Sequence, residues 1–221
     1  MNKLLTYLLI LLSSCGNENE PAASKKNVGK KKVEIHKTPT TIYIQPFTGF
    51  PKSRMTLIKS ELEEFYKIKT IILPYRTIYS EARLAGTMRY NAGKLLDLLD
   101  NKLLNKKDKI LGLTNYDIYT SKKVKGVQYP HWGIFGQSIC PGNPCIVSDF
   151  RLLKFTGKTD FFVVNTVLHE IGHTFGLPHC ENDEKCLMND AKGTIQTLYK
   201  ESKWLCPVCM RKLNGTYVKV N

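Results

Sequence analysis

The stretch from Val163 to Met188 constrains this chain more than any other. It reads V-V-N-T-V-L-H-E-I-G-H-T-F-G-L-P-H-C-E-N-D-E-K-C-L-M and holds three of the chain's five histidines. Its first half has the apolar pattern of a buried helix, predicted over Thr159 to Phe175. His169 and His173 stand four apart, so on a helix they share one face and can converge on one metal ion. Glu170 points to a neighbouring azimuth, where it can reach a water on that metal without being a ligand. This is the H-E-x-x-H arrangement of zinc hydrolases. Gly176 then breaks the helix, because glycine takes positive φ at little steric cost. The turn can bring His179, three residues on, back to the same metal. Three neutral histidines leave the fourth position of a tetrahedral zinc open for water. The plain alternative is a buried amphipathic helix carrying chance histidines. The fixed offsets of Gly176 and His179, which complete H-E-x-x-H-x-x-G-x-x-H, argue against it.

The N-terminus bears on where such a site would work. Met1 to Cys15 reads M-N-K-L-L-T-Y-L-L-I-L-L-S-S-C: one lysine, a short leucine-rich run, then Leu12-Ser13-Ser14-Cys15. The run is too short to span a bilayer and fits the apolar region of a signal peptide. Its end resembles the bacterial lipobox, which makes Cys15 the expected lipidation site. Residues 16–40 are polar, rich in Lys, Pro, Gly and Ser, and read as a flexible tether, with His36 as a solvated residue. The expected organisation is a leader over 1–15, a tether over 16–40 and one catalytic domain over 41–221. The expected location is the bacterial cell envelope, outside the cytoplasm, with a lipid anchor to a membrane. Six lysines of the tether contribute to the net charge of +14, and the rest of that charge reads mainly as solvated surface.

Along the domain, Thr41–Phe47 reads as a strand. Ser53–Lys67 reads as a helix capped by Ser53, with Leu57, Ile58, Leu62 and Phe65 on its apolar face. Ile68–Tyr75 reads as a strand buried on both faces. A leucine-rich helix is predicted from about Asn91, a third strand over Lys109–Ile118, and two strands or an edge strand and loop over Trp132–Phe150. Alternation of strand and helix predicts a partly parallel sheet.

Four cysteines follow the histidines. Cys180 and Cys186 form a wide pair, and Cys206-Pro-Val-Cys209 is a C-x-x-C knuckle. Such pairs suit a structural zinc held by four thiolates, and two disulfides compete with that reading if the protein leaves the cytoplasm. Cys140-Pro-Gly-Asn-Pro-Cys145 reads as a candidate disulfide loop. Two free thiols, or a further metal site with His131, are its alternatives.

The run H-E-I-G-H-T-F-G-L-P-H-C, then C-L-M, seventeen residues, and C-P-V-C resembles the archaemetzincins (archaelysins), a family of metzincin metalloproteases. Fainter likeness reaches upstream to about Thr41, as at Arg89-Tyr90-Asn91-Ala92. The resemblance implies an α+β, zincin-like (metzincin) domain. It would have a mixed, partly parallel sheet, an active-site helix and a C-terminal segment stapled by a four-cysteine zinc. It further implies a catalytic zinc on His169, His173 and His179 with Glu170 as general base, and a structural zinc on Cys180, Cys186, Cys206 and Cys209, hence two Zn2+ per chain. Met188 would be the Met-turn methionine. The loop Glu181–Lys185 has five residues where the family pattern has four, and is expected to bulge.

The function these features predict is zinc-dependent hydrolysis of peptide bonds. A peptide or protein is the expected substrate, the membrane is reached only through the lipid anchor, and a monomer is expected. A non-catalytic zinc-binding envelope module is the alternative, and it leaves Glu170 without a purpose. Nucleic acid is not an expected partner, because the basic residues lack interleaved aromatics. Asn165, one turn before His169, is read as structural.

Overall fold

A computed structural model describes residues 40–190, 195–200 and 202–216. The expected leader and residues 16–39 of the expected tether, with Cys15 and His36, lie outside the described residues. Five strands form one sheet in the order β2-β1-β4-β8-β7, where β1 is Ile42–Pro46, β2 Thr70–Ile72, β4 Lys109–Thr114, β7 Gly136–Ser138 and β8 Pro144–Ser148. Neighbours are parallel from β2 through β8, and only β7 at the edge is antiparallel. The sheet is therefore mixed and mostly parallel, as predicted. A second sheet pairs β3 (Arg89–Asn91), β5 (Asp117–Val124) and β6 (Val127–Ile134).

Strand residues alternate between faces, and this divides the core. Ile42, Ile44, Leu111, Leu113, Cys145 and Val147 face α1 (Lys52–Tyr66) and α3 (Thr159–Thr174). Ile110 and Ile146 face α2 (Ala92–Asp100), with its Leu95, Leu96 and Leu99. Gly112 on β4 lets α2 approach: a Cβ there would stand 2.6 Å from Ile146 Cδ1 and 2.8 Å from Leu99 Cδ1.

Several local expectations are corrected. Helix α1 starts after Pro51, with no side-chain cap, and buries Met55, Ile58, Leu62 and Tyr66; Leu57 and Phe65 are only partly covered. Strand β2 has three residues and is half-exposed, because it is the outermost strand and pairs with β1 alone. The predicted third strand is two. Asn115 and Tyr116 interrupt it, and Asp117 begins the second sheet. The β5–β6 hairpin turns at Lys125 and Gly126, both at positive φ, as a two-residue turn of the I′ kind requires. The leucine-rich helix is as predicted, with the Asn91 side chain accepting from the Lys94 amide as its cap.

The candidate Cys140–Cys145 disulfide is not formed; both are free thiols. Cys145 occupies an inward position of β8 in the core, whereas Cys140 lies in an exposed turn with its sulfur at the Leu177 carbonyl. The two side chains are drawn to different surroundings. His131 lies edge-on to Tyr119 on β6, apart from both metal-donor clusters.

Lys109, buried at the start of β4, donates to the carbonyls of Gly142 (2.6 Å) and Thr174 (3.1 Å). Burying an ammonium costs several kcal/mol unless acceptors surround it. These two carbonyls supply that cage and tie the last turn of α3 to the sheet. The short α4 (Ile195–Lys200) and α5 (Pro207–Thr216) complete the described elements. Among the described residues no helix is long and apolar enough to cross a membrane.

Candidate active site

Helix α3 is buried along almost its whole length, and its packing fixes the two histidines it carries. Tyr66 of α1 donates to the Leu168 carbonyl at 2.5 Å, one residue before His169. The helix ends in a Schellman arrangement: Gly176 N–H bonds the His173 carbonyl (2.8 Å) and Leu177 N–H bonds that of Gly172 (3.1 Å). Gly176 takes φ +86°, which a Cβ would strain. The reversed chain then presents His179.

His169, His173 and His179 converge, each offering a nitrogen within 4.8 Å of the others. The Nδ1 atoms of His169 and His173 lie 2.7 Å from the Leu187 carbonyl and 2.6 Å from the Leu177 carbonyl. A carbonyl only accepts, so both Nδ1 atoms carry the proton and both Nε2 lone pairs are left for a metal. Burial, then the neighbouring imidazole His173, pushes the pKa of His169 down to about 3; burial also lowers that of His173. Both rings are thus neutral near pH 7, the form a metal ligand needs.

Glu170 is buried beside the triad. Burial raises its pKa to about 7 against a hydrogen bond from Ser138 Oγ to its Oε2 (2.6 Å) that favours the carboxylate. Edge strand β7 passes directly over this carboxylate. A Cβ on Gly136 would stand 2.7 Å from Glu170 Cγ, so glycine is what permits the approach. Met188 is fully buried, with its sulfur 2.6 Å from where a Cβ on Gly172 would be, between the two helical histidines in sequence. Asn165 is buried and its amide has no hydrogen-bond partner among the described residues, so it orients none of these groups.

The cysteines Cys180, Cys186, Cys206 and Cys209 form a second cluster, with sulfurs within 4.8 Å of one another and all four side chains buried. None is disulfide-bonded, and Cys180 and Cys206 sulfurs stand 3.6 Å apart, far beyond an S–S bond. Burial raises the Cys186 and Cys209 thiols. Burial also opposes ionisation of Cys180, but hydrogen bonds from Asn182, Cys206 and Cys209 together outweigh it and lower its pKa to about 7. The five-residue loop Glu181–Lys185 closes on Asp183, whose side chain accepts from the Lys185 amide and whose carbonyl accepts from that of Cys186. That turn delivers both flanking cysteines to one cluster.

A groove of about 530 Å³ opens over the histidines and Glu170, and runs along β7 towards Trp132 and Lys154. Sequence reasoning missed Ser138, Gly136 and Asp190, all on this groove. No motif marks them. They reach the site through the fold of β7 and through the chain after Met188.

Comparison with known proteins agrees with this geometry. The profile of peptidase family M54 matches residues 56–215. An archaemetzincin of Methanopyrus kandleri is 35% identical over 126 residues, 57% of this chain and 66% of that one. An archaemetzincin of Haloquadratum walsbyi is 31% identical over 180 residues, 77% of this chain and 97% of its own. The crystal structure of the Archaeoglobus fulgidus archaemetzincin with malonate superposes with a TM-score of 0.64 at 26% identity, covering 78% of this chain and 99% of that one.

Proposed function

The chain belongs to peptidase family M54, and from that premise we propose that it is a zinc-dependent metallopeptidase of the metzincin type. The observation that carries the reading is the pairing of three convergent histidines with a buried carboxylate that is no part of their set. A purely structural metal site has no use for that carboxylate. The donor chemistry fits the ions proposed: imidazole nitrogens with free Nε2 for a catalytic zinc, and four unbonded sulfurs for a structural one, two Zn2+ per chain.

His169, His173 and His179 would hold the catalytic ion, and the Leu187 and Leu177 carbonyls orient the first two rings. A bound zinc supplies Lewis acidity, for water and for the peptide carbonyl. Glu170 takes the proton of the attacking water and returns it to the leaving amine. Its raised pKa suits both transfers, since the group is half-ionised near neutral pH. Ser138 holds the carboxylate in place and favours its charged form. Met188, buried with its sulfur against Gly172 between the two helical histidines in sequence, would be the Met-turn residue.

Ser138→Ala tests the role of Glu170. Loss of the donor disfavours the carboxylate, so the pKa rises and the acid limb of kcat/KM moves to higher pH, by on the order of one pH unit or less. Zinc content stays unchanged. An acid limb that does not move would separate Glu170 from proton transfer.

The leader Met1–Cys15 is proposed to direct lipidation of Cys15, which would hold the domain on a membrane of the bacterial envelope, outside the cytoplasm, as a monomer on its tether. Cys15→Ser is expected to abolish incorporation of labelled palmitate; incorporation that survives it contradicts the anchor.

A further inference from the structure

The groove is lined by charges of both signs. Its carboxylates are Glu170, which lies against Gly136 of β7, and Asp190, whose charge acts on His169 and His173. The wall formed by the β5–β6 hairpin and the turn after β8 carries Lys122, Arg151 and Lys154. Neither lysine has an ion-pair partner among the described residues. Lys122 holds its ammonium 5.5 Å from the centre of the Trp132 ring, on the groove wall. Arg151 gives Nε and Nη2 to Asp117 at 2.7 and 2.9 Å, but Asp117 also pairs with Arg89, so this trio keeps one excess positive charge.

The wall is shaped to hold Arg151 in place. A Cβ on Gly133 would stand 2.0 Å from Arg151 Cζ, so the guanidinium lies flat on β6 only because that strand carries glycine there. Trp132, Ile134, Phe155 and Leu198 supply apolar surface along the same groove. A groove wall that combines apolar surface with uncompensated cations suits a ligand with a short aliphatic stem and a terminal carboxylate.

We infer that Lys122, Arg151 and Lys154 form a carboxylate-accepting subsite, which selects peptides by an acidic side chain or by a free C-terminal carboxylate. The inference rests on the reading of this groove as the substrate groove of a peptidase. Its energetics follow from exposed and half-buried ion pairs, each worth little alone and screened by salt. Together they give a preference on the order of tenfold at low ionic strength, shrinking as salt rises.

The test is binding of fluorescent peptides to the zinc-loaded Glu170→Gln protein, which separates recognition from hydrolysis. Matched peptides carry Glu or Gln at each position in turn, with the C-terminus amidated, and a second set compares free with amidated ends. The expected result is about tenfold tighter binding of a Glu peptide or of a free end, the first identifying a side-chain carboxylate and the second a terminal one. The ratio falls towards one in Lys122→Ser and in Lys154→Glu; Lys154 is exposed, so its exchange leaves the fold intact. Equal binding of Glu and Gln peptides and of free and amidated ends, or a preference unchanged in both variants, overturns the subsite. A charge preference in binding, together with wild-type protein that cuts no peptide, overturns the peptidase reading and leaves the subsite standing.

Discussion

Glu170→Gln is expected to lower kcat for peptide hydrolysis by about 10³ to 10⁴-fold while zinc content and fold stay as in the parent. The amide keeps the size of the carboxyl and can still accept from Ser138 Oγ, now at 2.6 Å from Oε2. It cannot take a proton from water or hand one to an amine. The three histidines are untouched, because Glu170 is absent from their donor cluster. Removing a buried group that ionises only near pH 7 also removes a cost to the fold, so stability near neutral pH should not fall. Zinc analysis beside kinetics separates the outcomes: loss of zinc in the variant would make Glu170 a ligand or a structural support, and unchanged kcat would remove it from the reaction.

The second large effect concerns the cysteine cluster. Changing Cys206 and Cys209 together to serine removes two of four thiolates, and one zinc per chain should be lost. Binding at structural zinc sites is folding free energy, so a loss of at least several kcal/mol is expected. The effect should reach the catalytic site by a short route. The Leu187 amide bonds the Trp204 carbonyl at 2.8 Å and the Cys206 amide lies 3.4 Å from Cys186 sulfur. The Leu187 carbonyl in turn accepts from His169 Nδ1. Loosening this segment releases the group that orients a catalytic ligand, and about 10 to 100-fold in activity or metal affinity should follow. Faster amide exchange at Leu187 and Cys206 would accompany it. A double variant with two zinc ions and parental activity would contradict the structural-zinc assignment.

The site was legible in the sequence to an uneven degree. The histidines, Glu170, Cys180 and Cys186 stand at fixed offsets on or just after one helix, so local geometry brings the histidines together, and the C-x-x-C knuckle marks Cys206 and Cys209. The predicted sheet and α3 followed from apolar patterning, which reports burial directly. The β5–β6 hairpin was hidden because β6 is exposed over Val127–His131 and carries a proline, which argues against a strand, so burial leaves no pattern to read there. Ser138 and Gly136 were hidden for another reason. Their importance comes from β7 pairing with β8 and so lying over α3, a contact between segments distant in sequence. The Cys140–Cys145 expectation failed because spacing in sequence says nothing of which way a side chain faces, and β8 turns Cys145 into the core.

The most direct measurement is digestion of a broad peptide library by the zinc-loaded protein, read by mass spectrometry, beside the same protein stripped by chelator and then given zinc again. Cut peptides are expected with zinc, none after chelation, and recovery when zinc returns. An intact library in the presence of protein holding two zinc ions per chain, or cuts that persist without metal, would contradict the metallopeptidase reading.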